Sequence, residues 1–418
     1  NLTAFALAEI FVQAISMMTS PMLRLRRPAN SELPRRLRRI ILTMPTAMPL
    51  AERHILKQQA ESACDLAYLS LGLAHMVYND DGTSRMAYTL EGRTNADKDD
   101  VGPEVILQWD EATATQAVYL YSQVALNHSG DARTFFDTVR HPANRHDPQA
   151  SSRLRLATID LGGGTTDLVV TSVAVEGTGA NVTLIPEQEF REGFNLAGDD
   201  ALLRVVREHV VEPIKRKLRD LGLGERADSA LYHLIGGDRG DMKAIELVRR
   251  QQFATQIAAP IALGLLQEYE TYDPLQPVES FTRKFTDFFN PDSMPTADLL
   301  AYVNAELAKQ GVRDFRIQDI EFEINPVEID TTIRSVFSEM LQALGEVVQR
   351  YRCDVLILSG RTSRLPAVRQ ILEESGAIPS HRIVSLHQFR VGRWYPFRDY
   401  RATVGDPKTT AAVGAMIC

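Results

Sequence analysis

Asp160 and Asp167 bracket three consecutive glycines, Gly162, Gly163 and Gly164, and two threonines, Thr165 and Thr166. The surrounding run, Leu154 to Val175, reads L-R-L-A-T-I-D-L-G-G-G-T-T-D-L-V-V-T-S-V-A-V. Two β-rich segments joined by a glycine turn predict a hairpin. An ordinary hairpin needs one or two glycines. Three in a row leave backbone N–H groups with no side chain to keep a ligand away, and such N–H groups cradle phosphate oxygens. A carboxylate on each side of that cradle suits hydrated Mg²⁺, which takes one or two carboxylates together with phosphate oxygens. A tight hairpin with two solvated aspartates satisfies the same residues, and the stretch alone leaves both readings standing.

Two other places carry chemistry. Glu111 follows Gln108-Trp109-Asp110 and falls in the first turn of a helix predicted over 112–126. It is either a carboxylate aimed at a phosphate's water or an acid that complements the helix dipole. Val355 to Leu358 predicts a buried strand that ends in Ser359-Gly360-Arg361-Thr362-Ser363-Arg364-Leu365-Pro366. A strand, a small-residue loop and a proline-led helix form a ligand-facing corner of an α/β sheet. Gly360 lets a ring lie against the backbone, and Arg364 can lie flat on an adenine face. A plain connecting loop with a solvated arginine is the alternative. His128, His141 and His146 have no metal-ligand spacing and read as loop histidines.

These residues need elements to hold them. Arg39 to Thr43 predicts a strand, and Met44-Pro45-Thr46-Ala47-Met48-Pro49 a loop, because two prolines forbid a continuing ladder. Leu50 to Leu71 carries helical spacing. Residues 79–104 are polar and rich in turn formers, which predicts a surface excursion. Val105 to Leu107 reads as a short strand. Asp199 or Asp200 can cap a helix over 201–220, which Pro213 should kink. Residues 221–320 read as mostly helical. Ile333, Val336, Phe337, Met340, Leu341, Leu344, Val347 and Val348 keep strict helical spacing. Asp406-Pro407 starts a last helix, whose small-residue run, Thr409 to Ala415, suits close packing on a neighbour.

The 418 residues are enough for two or three domains. With 44% hydrophobic and 24% charged residues the composition is that of a soluble globular protein. A net charge of −8 gives no reason to expect nucleic acid as a partner. Cys64, Cys353 and Cys418 form neither a disulfide framework nor a metal spacing, so a reducing, cytoplasmic setting is expected. Residues 3–18 are nearly all apolar but interrupted by Glu9 and Gln13, and arginines cluster at 24, 26, 27, 35, 36, 38 and 39. The run falls short of a membrane span. A buried helix before a solvated basic loop is the expectation, with no membrane partner. The chain opens in mid-helix at Asn1 and stops at Cys418 without a tail, as a piece of a longer protein would. No phosphate-binding P-loop, nucleophile elbow, H-E-x-x-H or paired C-x-x-C occurs.

In chain order these elements resemble the actin-like ATPase superfamily, most of all its seventy-kilodalton heat-shock chaperone branch. D-L-G-G-G-T-T-D, Asp160 to Asp167, looks like the second phosphate motif of that superfamily. Ile41 to Arg53 resembles the strand, proline loop and helix before it, and Asp110-Glu111-Ala112-Thr113-Ala114 the connecting motif. Leu196-Ala197-Gly198-Asp199-Asp200 resembles the glycine-acid step after the hairpin. Leu358 to Pro366 resembles the adenosine motif, one residue longer and with an unusual Arg361. Within the superfamily, Met44 to Arg53 and Gln108 to Tyr121 resemble the SrfB-type bacterial virulence factors.

The resemblance implies an α/β, ribonuclease H-like fold of two lobes. It places the remainder of the first, incomplete lobe at 1–157. The second lobe is at 158–418, with a helical insertion at about 205–320 and a C-terminal helix at about 404–418 that returns to the first lobe. The family's first phosphate loop, its lysine and an inserted subdomain would lie upstream of Asn1. It implies ATP and Mg²⁺ as cofactors, in a virulence-associated ATPase module. Asp160 and Glu111 would be catalytic, and Asp160 and Asp167 would hold the metal. Gly162, Gly163, Gly164, Thr165, Thr166, Gly198, Gly360 and Arg364 would bind the nucleotide. A protein partner is expected. A weakly catalytic scaffold and a small-molecule kinase of the same superfamily are the alternatives.

Overall fold

The computed structural model describes residues 2–22, 35, 37–46, 48–79, 81–88, 102–146, 152–178, 181–235, 243–277, 279–312 and 315–418. The chain forms two compact units, Asn1–Leu120 with Thr409–Cys418, and Tyr121–Lys408.

In the first unit, helix Leu2–Thr19 packs on helix Leu50–Ser70. Ala4, Ala8, Phe11 and Ile15 are buried, a stripe one helical turn apart at each step. The expectation of a buried helix holds for this face alone, because Leu2, Phe5, Ile10 and Met17 are exposed. Among the described residues this is the one helix long and apolar enough to cross a membrane. Of the arginine cluster, residues 24, 26, 27 and 36 lie outside the described residues. Strand β1 (Arg39–Ile41) pairs with another strand of this unit. A hairpin follows, β2 (Ala74–Tyr78) and β3 (Ser84–Tyr88), that local pattern did not mark; β2 precedes the stretch 79–104 expected as a polar excursion and β3 lies within it. Asp81 explains it, since its carboxylate accepts the Thr83 N–H at 2.9 Å and sets the turn. Strand β4 (Glu104–Ile106) lies parallel to β1. Helix Thr409–Ile417 belongs to this unit and presses on helix Glu111–Tyr121. A Cβ at Gly414 would lie 1.7 Å from the Ala114 carbonyl oxygen, so the small-residue run packs as closely as its composition predicts.

The second unit is built on a five-stranded mixed sheet, β11-β10-β5-β6-β7. Its strands are β5 (Arg153–Leu161), β6 (Thr166–Thr178), β7 (Asn181–Phe194), β10 (Val355–Ser359) and β11 (Ile383–Ser385). Strands β11, β10 and β5 run parallel, whereas β5, β6 and β7 are antiparallel. Strands β8 (Phe281–Lys284) and β9 (Glu321–Ile324) form a separate antiparallel pair. Every residue of β10 is buried, as expected of a strand covered on both faces. Asp354, 1% exposed, ties the lower ends of β5 and β10 together. Its carboxylate accepts from the N–H groups of Arg155 (2.6 Å) and His141 (2.5 Å) and from the Asn144 amide (3.0 Å).

Helices fill most of residues 198–269 and 297–309. Helix 198–223 does not simply kink at Pro213. Its backbone widens into a π turn over Val206–Val211, just before the proline. Helix 244–269 does the same over Ala254–Ala258, before Pro260. The wider turn accommodates the ring and the missing donor. Helix Pro326–Arg350 begins seven residues before Ile333, the first residue of its periodic run, and is capped by the Asn325 side chain.

Gly414 yields the first prediction. An alanine in a helix is ordinarily worth about 1 kcal/mol over glycine, but here it must displace the backbone of the facing helix. Gly414→Ala is expected to lower stability by about 2 kcal/mol, read from the midpoint of a denaturant titration. An unchanged or raised midpoint would contradict the packing.

Candidate functional site

Strand register places the two aspartates. Asp160 is the cross-strand partner of Asp167 on one side and pairs in parallel with Ser359 on the other. Partners directly opposite in an antiparallel pair have Cβ atoms about 5 Å apart. The two carboxylates therefore sit side by side at the carboxyl ends of β5 and β10, where open α/β sheets bind ligands. Asp167 is buried and Asp160 is half-buried.

The turn between them is stitched to two neighbouring loops. The Gly162 N–H donates to the Thr165 carbonyl at 2.9 Å. The Gly162 carbonyl accepts from the Gly198 N–H (3.1 Å) and from the Thr362 hydroxyl (2.9 Å). The Asp199 N–H donates to the Gly163 carbonyl at 2.8 Å, and the Thr166 hydroxyl to the Leu196 carbonyl at 2.7 Å. Gly162 and Thr166 thus shape the turn, while Gly163, Gly164 and Thr165 are exposed at its tip.

The glycines divide in the same way. Gly198 cannot carry a side chain, because a Cβ there would come within 2.4 Å of the Thr362 hydroxyl. Gly360 has φ +80°, and a Cβ would meet the Leu161 carbonyl at 2.1 Å and the Asp160 carboxylate at 2.5 Å. At Gly163 the closest approach would be an ordinary 3.5 Å, and at Gly164 nothing lies within 4 Å. Neither of these two has a positive φ. The protein's own packing would tolerate an alanine at both.

Beside the turn opens a cleft of about 250 Å³ within the second unit. Gly163, Gly198, Asp199 and Thr362 form its polar wall, and Leu202, Leu263, Leu266 and Leu365 its apolar one. Glu270, Arg361 and Lys408 bring charge to it. Arg364 pairs with Glu270 at 2.6 Å, and Arg361 approaches the same carboxylate at 3.8 Å. Glu270 is positioned by its neighbour Tyr269, which is fully buried. The Tyr269 hydroxyl donates to Asp330 at 2.5 Å and accepts from the Ala367 N–H at 3.0 Å. Burial and the Asp330 carboxylate push that phenol far above its ordinary value.

The structure therefore gathers Asp160, Asp167, the glycine turn, Gly198, Gly360 and Arg364 in one region of the second unit. Glu111 heads helix Glu111–Tyr121, with its N–H donating to the Met44 carbonyl at 3.0 Å; the cap is Asp110, whose carboxylate accepts from Thr113. Of Asp199 and Asp200, the latter takes up the helix end, accepting the Ala197 N–H at 2.9 Å. Sequence reasoning missed Thr362, Tyr269, Glu270 and Lys408. For Glu270 a signal existed, because an acid just past a helix C-terminus opposes the dipole and calls for a reason. Among the described residues no three His, Cys, Asp or Glu side chains converge on a metal position. Asp160 and Asp167 do not themselves line the cleft, but a carboxylate pair beside an exposed glycine turn has the donor chemistry of a hydrated Mg²⁺ site that draws its other ligands from phosphate and water.

The chain is thus a mixed α/β protein whose sheet presents a glycine turn and a carboxylate pair beside a half-apolar cleft. It belongs to the SrfB family: the family model described as Virulence factor SrfB matches residues 1–418. No curated protein matches it.

His387 borders this region and yields a pH prediction. Its Nδ1 is buried without a hydrogen-bond partner. Burial, reinforced by Arg364 and Arg369, lowers its pKa from 6.5 to about 4. Between those values the unfolded chain binds a proton that the folded one refuses. The His387 contribution is therefore complete above pH 6.5 and declines as pH falls towards 4. The decline should reach about 2–3 kcal/mol. His387→Gln is expected to flatten the stability profile over that window, measured by denaturant melts at stepped pH; a profile parallel to that of the parent would refute it.

Proposed function

We propose that the second unit is a nucleotide-binding module of the actin/chaperone ATPase type, taking Mg-ATP at the glycine turn. The observation that carries this reading is the pair Gly163 and Gly164. Neither backbone conformation nor crowding asks for glycine at either position, yet a ligand brought against the backbone does. They lie between two carboxylates set opposite one another by the strand register. The β/γ-phosphates would lie over Gly162 to Thr166, and Asp160 and Asp167 would hold hydrated Mg²⁺. The metal's contribution when bound is to offset the phosphate charge and align the terminal phosphoryl group.

The chain's own residues do the rest. Asp160, held between Ser359 and Asp167 in the sheet, orients water towards the γ-phosphorus. In hydrolysis that water's oxygen bonds to phosphorus as the β–γ bridge breaks. Orientation on a rigid strand is the larger part of catalysis in phosphoryl transfer. The leucine wall suits the flat face of a base, and Glu270, paired with Arg364, forms a polar edge beside it. Gly360, placed to contact the base by the sequence, is not part of the cleft lining and is glycine because it packs on Leu161 and Asp160. Thr362 keeps the base-side loop and the phosphate turn in register through the Gly162 carbonyl.

Calorimetric titration of Mg-ATP with parallel phosphate-release assays tests the reading. The parent chain is expected to bind. Asp167→Ala should weaken Mg-dependent binding about tenfold, corresponding to about 1.4 kcal/mol. Asp160→Asn should bind nearly as well as the parent but turn over about a hundredfold more slowly. Absence of binding at millimolar nucleotide would overturn the nucleotide reading, and undiminished turnover by Asp160→Asn would overturn the role of Asp160.

A further inference from the structure

We infer that Lys408 is a phosphate-binding residue of the glycine-turn cleft, supplying the positive charge that a bound nucleotide's phosphates require. This rests on the nucleotide reading above and adds a residue that belongs to none of the motifs quoted for it.

Asp160, Asp167 and Asp199 all stand at or beside the turn, so a polyanion seated there meets three like charges. Hydrated Mg²⁺ offsets two of them. Phosphate sites are completed by cations on the protein. Three candidates stand at the cleft. Arg364 is held at 2.6 Å by Glu270, and Arg361 lies 3.8 Å from the same carboxylate. Glu270 thus engages Arg364 directly and attracts the more exposed Arg361 from a longer distance. Lys408 lines the cleft with Gly163, Gly198 and Asp199. Among the described residues its ammonium makes no ion pair, although Asp199 shares the cleft. Of the two cations that line the cleft, Arg361 and Lys408, Lys408 is the one with no carboxylate within ion-pair distance among the described residues.

Local structure suits that role. The Lys408 N–H donates to the Asp406 carboxylate at 3.0 Å, and Pro407 between them is buried and fixes φ. The backbone is pinned while the side chain is exposed. A flexible four-carbon stem ending in a compact charge can follow a phosphate without the planar geometry a guanidinium demands. A merely solvated surface lysine would share the exposure, so the test must separate charge on phosphate from presence in the cleft.

Lys408→Gln and Lys408→Arg, with the parent chain, are titrated calorimetrically with Mg-ATP and with adenosine, and their folding is checked by thermal melting. An exposed lysine is dispensable for folding, so all three should melt alike. Lys408→Gln is expected to bind Mg-ATP about tenfold more weakly and adenosine as the parent does. Lys408→Arg should recover most of the Mg-ATP affinity, and the deficit of Lys408→Gln should shrink as salt is raised. Parent-like Mg-ATP binding by Lys408→Gln would overturn the inference and leave the nucleotide reading intact. An equal loss for adenosine would also overturn it, showing that Lys408 acts by packing. If the parent binds neither ligand, the nucleotide reading falls and takes this inference with it.

Discussion

Two carboxylates of like charge stand opposite one another at the mouth of the β5–β6 hairpin, and the loops of the second unit are arranged around that pair. Like charges directly across a sheet destabilise it. The strands bear the cost because their lower parts are secured independently. Leu154, Leu156 and Ile159 are fully buried, each contributing about 2 kcal/mol, and the smaller Ala157 is buried with them. Asp354 clamps the far ends of β5 and β10 with three accepted hydrogen bonds. A rigid lower sheet therefore holds the upper edge in place, which is what a preorganised site needs.

The Gly162 carbonyl is the second organising feature. It accepts a backbone donor from one loop and a hydroxyl from another, so three chain segments far apart in sequence meet at one atom. Gly198 is glycine because this convergence leaves little room for a Cβ, and Gly360 because it packs directly on Leu161 and the Asp160 carboxylate. Gly163 and Gly164 differ, since the protein leaves space over them. The contrast separates glycines that the packing requires from glycines that it does not. Charge is divided between the two sides: Glu270 faces Arg364 and Arg361 on one side of the cleft, leaving a net positive charge there, and the carboxylates gather at the turn on the other.

Membership in the SrfB family covers the whole chain, and the family description speaks of virulence rather than chemistry. The functional reading is carried by the turn and cleft of the second unit. The first unit contributes a different physical feature, a helix that buries one stripe and leaves Leu2, Phe5, Ile10 and Met17 exposed.

Much of this was legible from local pattern. The hairpin, the helix of 326–350, the β10 strand and the small-residue helix at the C-terminus follow from periodicity and turn chemistry, which are properties of neighbouring residues. The β2–β3 hairpin was hidden because its strands are short and half-exposed, so no clean alternation marks them. The π turns before Pro213 and Pro260 were hidden because a kink and a widened turn satisfy the same missing donor. By itself the sequence determined which residues could meet a phosphate and a metal, because D-L-G-G-G-T-T-D compresses that chemistry into a single turn. Only the tertiary structure decided that Asp160 faces Asp167, that Thr362 and Gly198 share the Gly162 carbonyl, and that Glu270 and Lys408 reach the same cleft. Those contacts join residues up to about two hundred positions apart. Such distances are closed by burial of a common core rather than by any local preference.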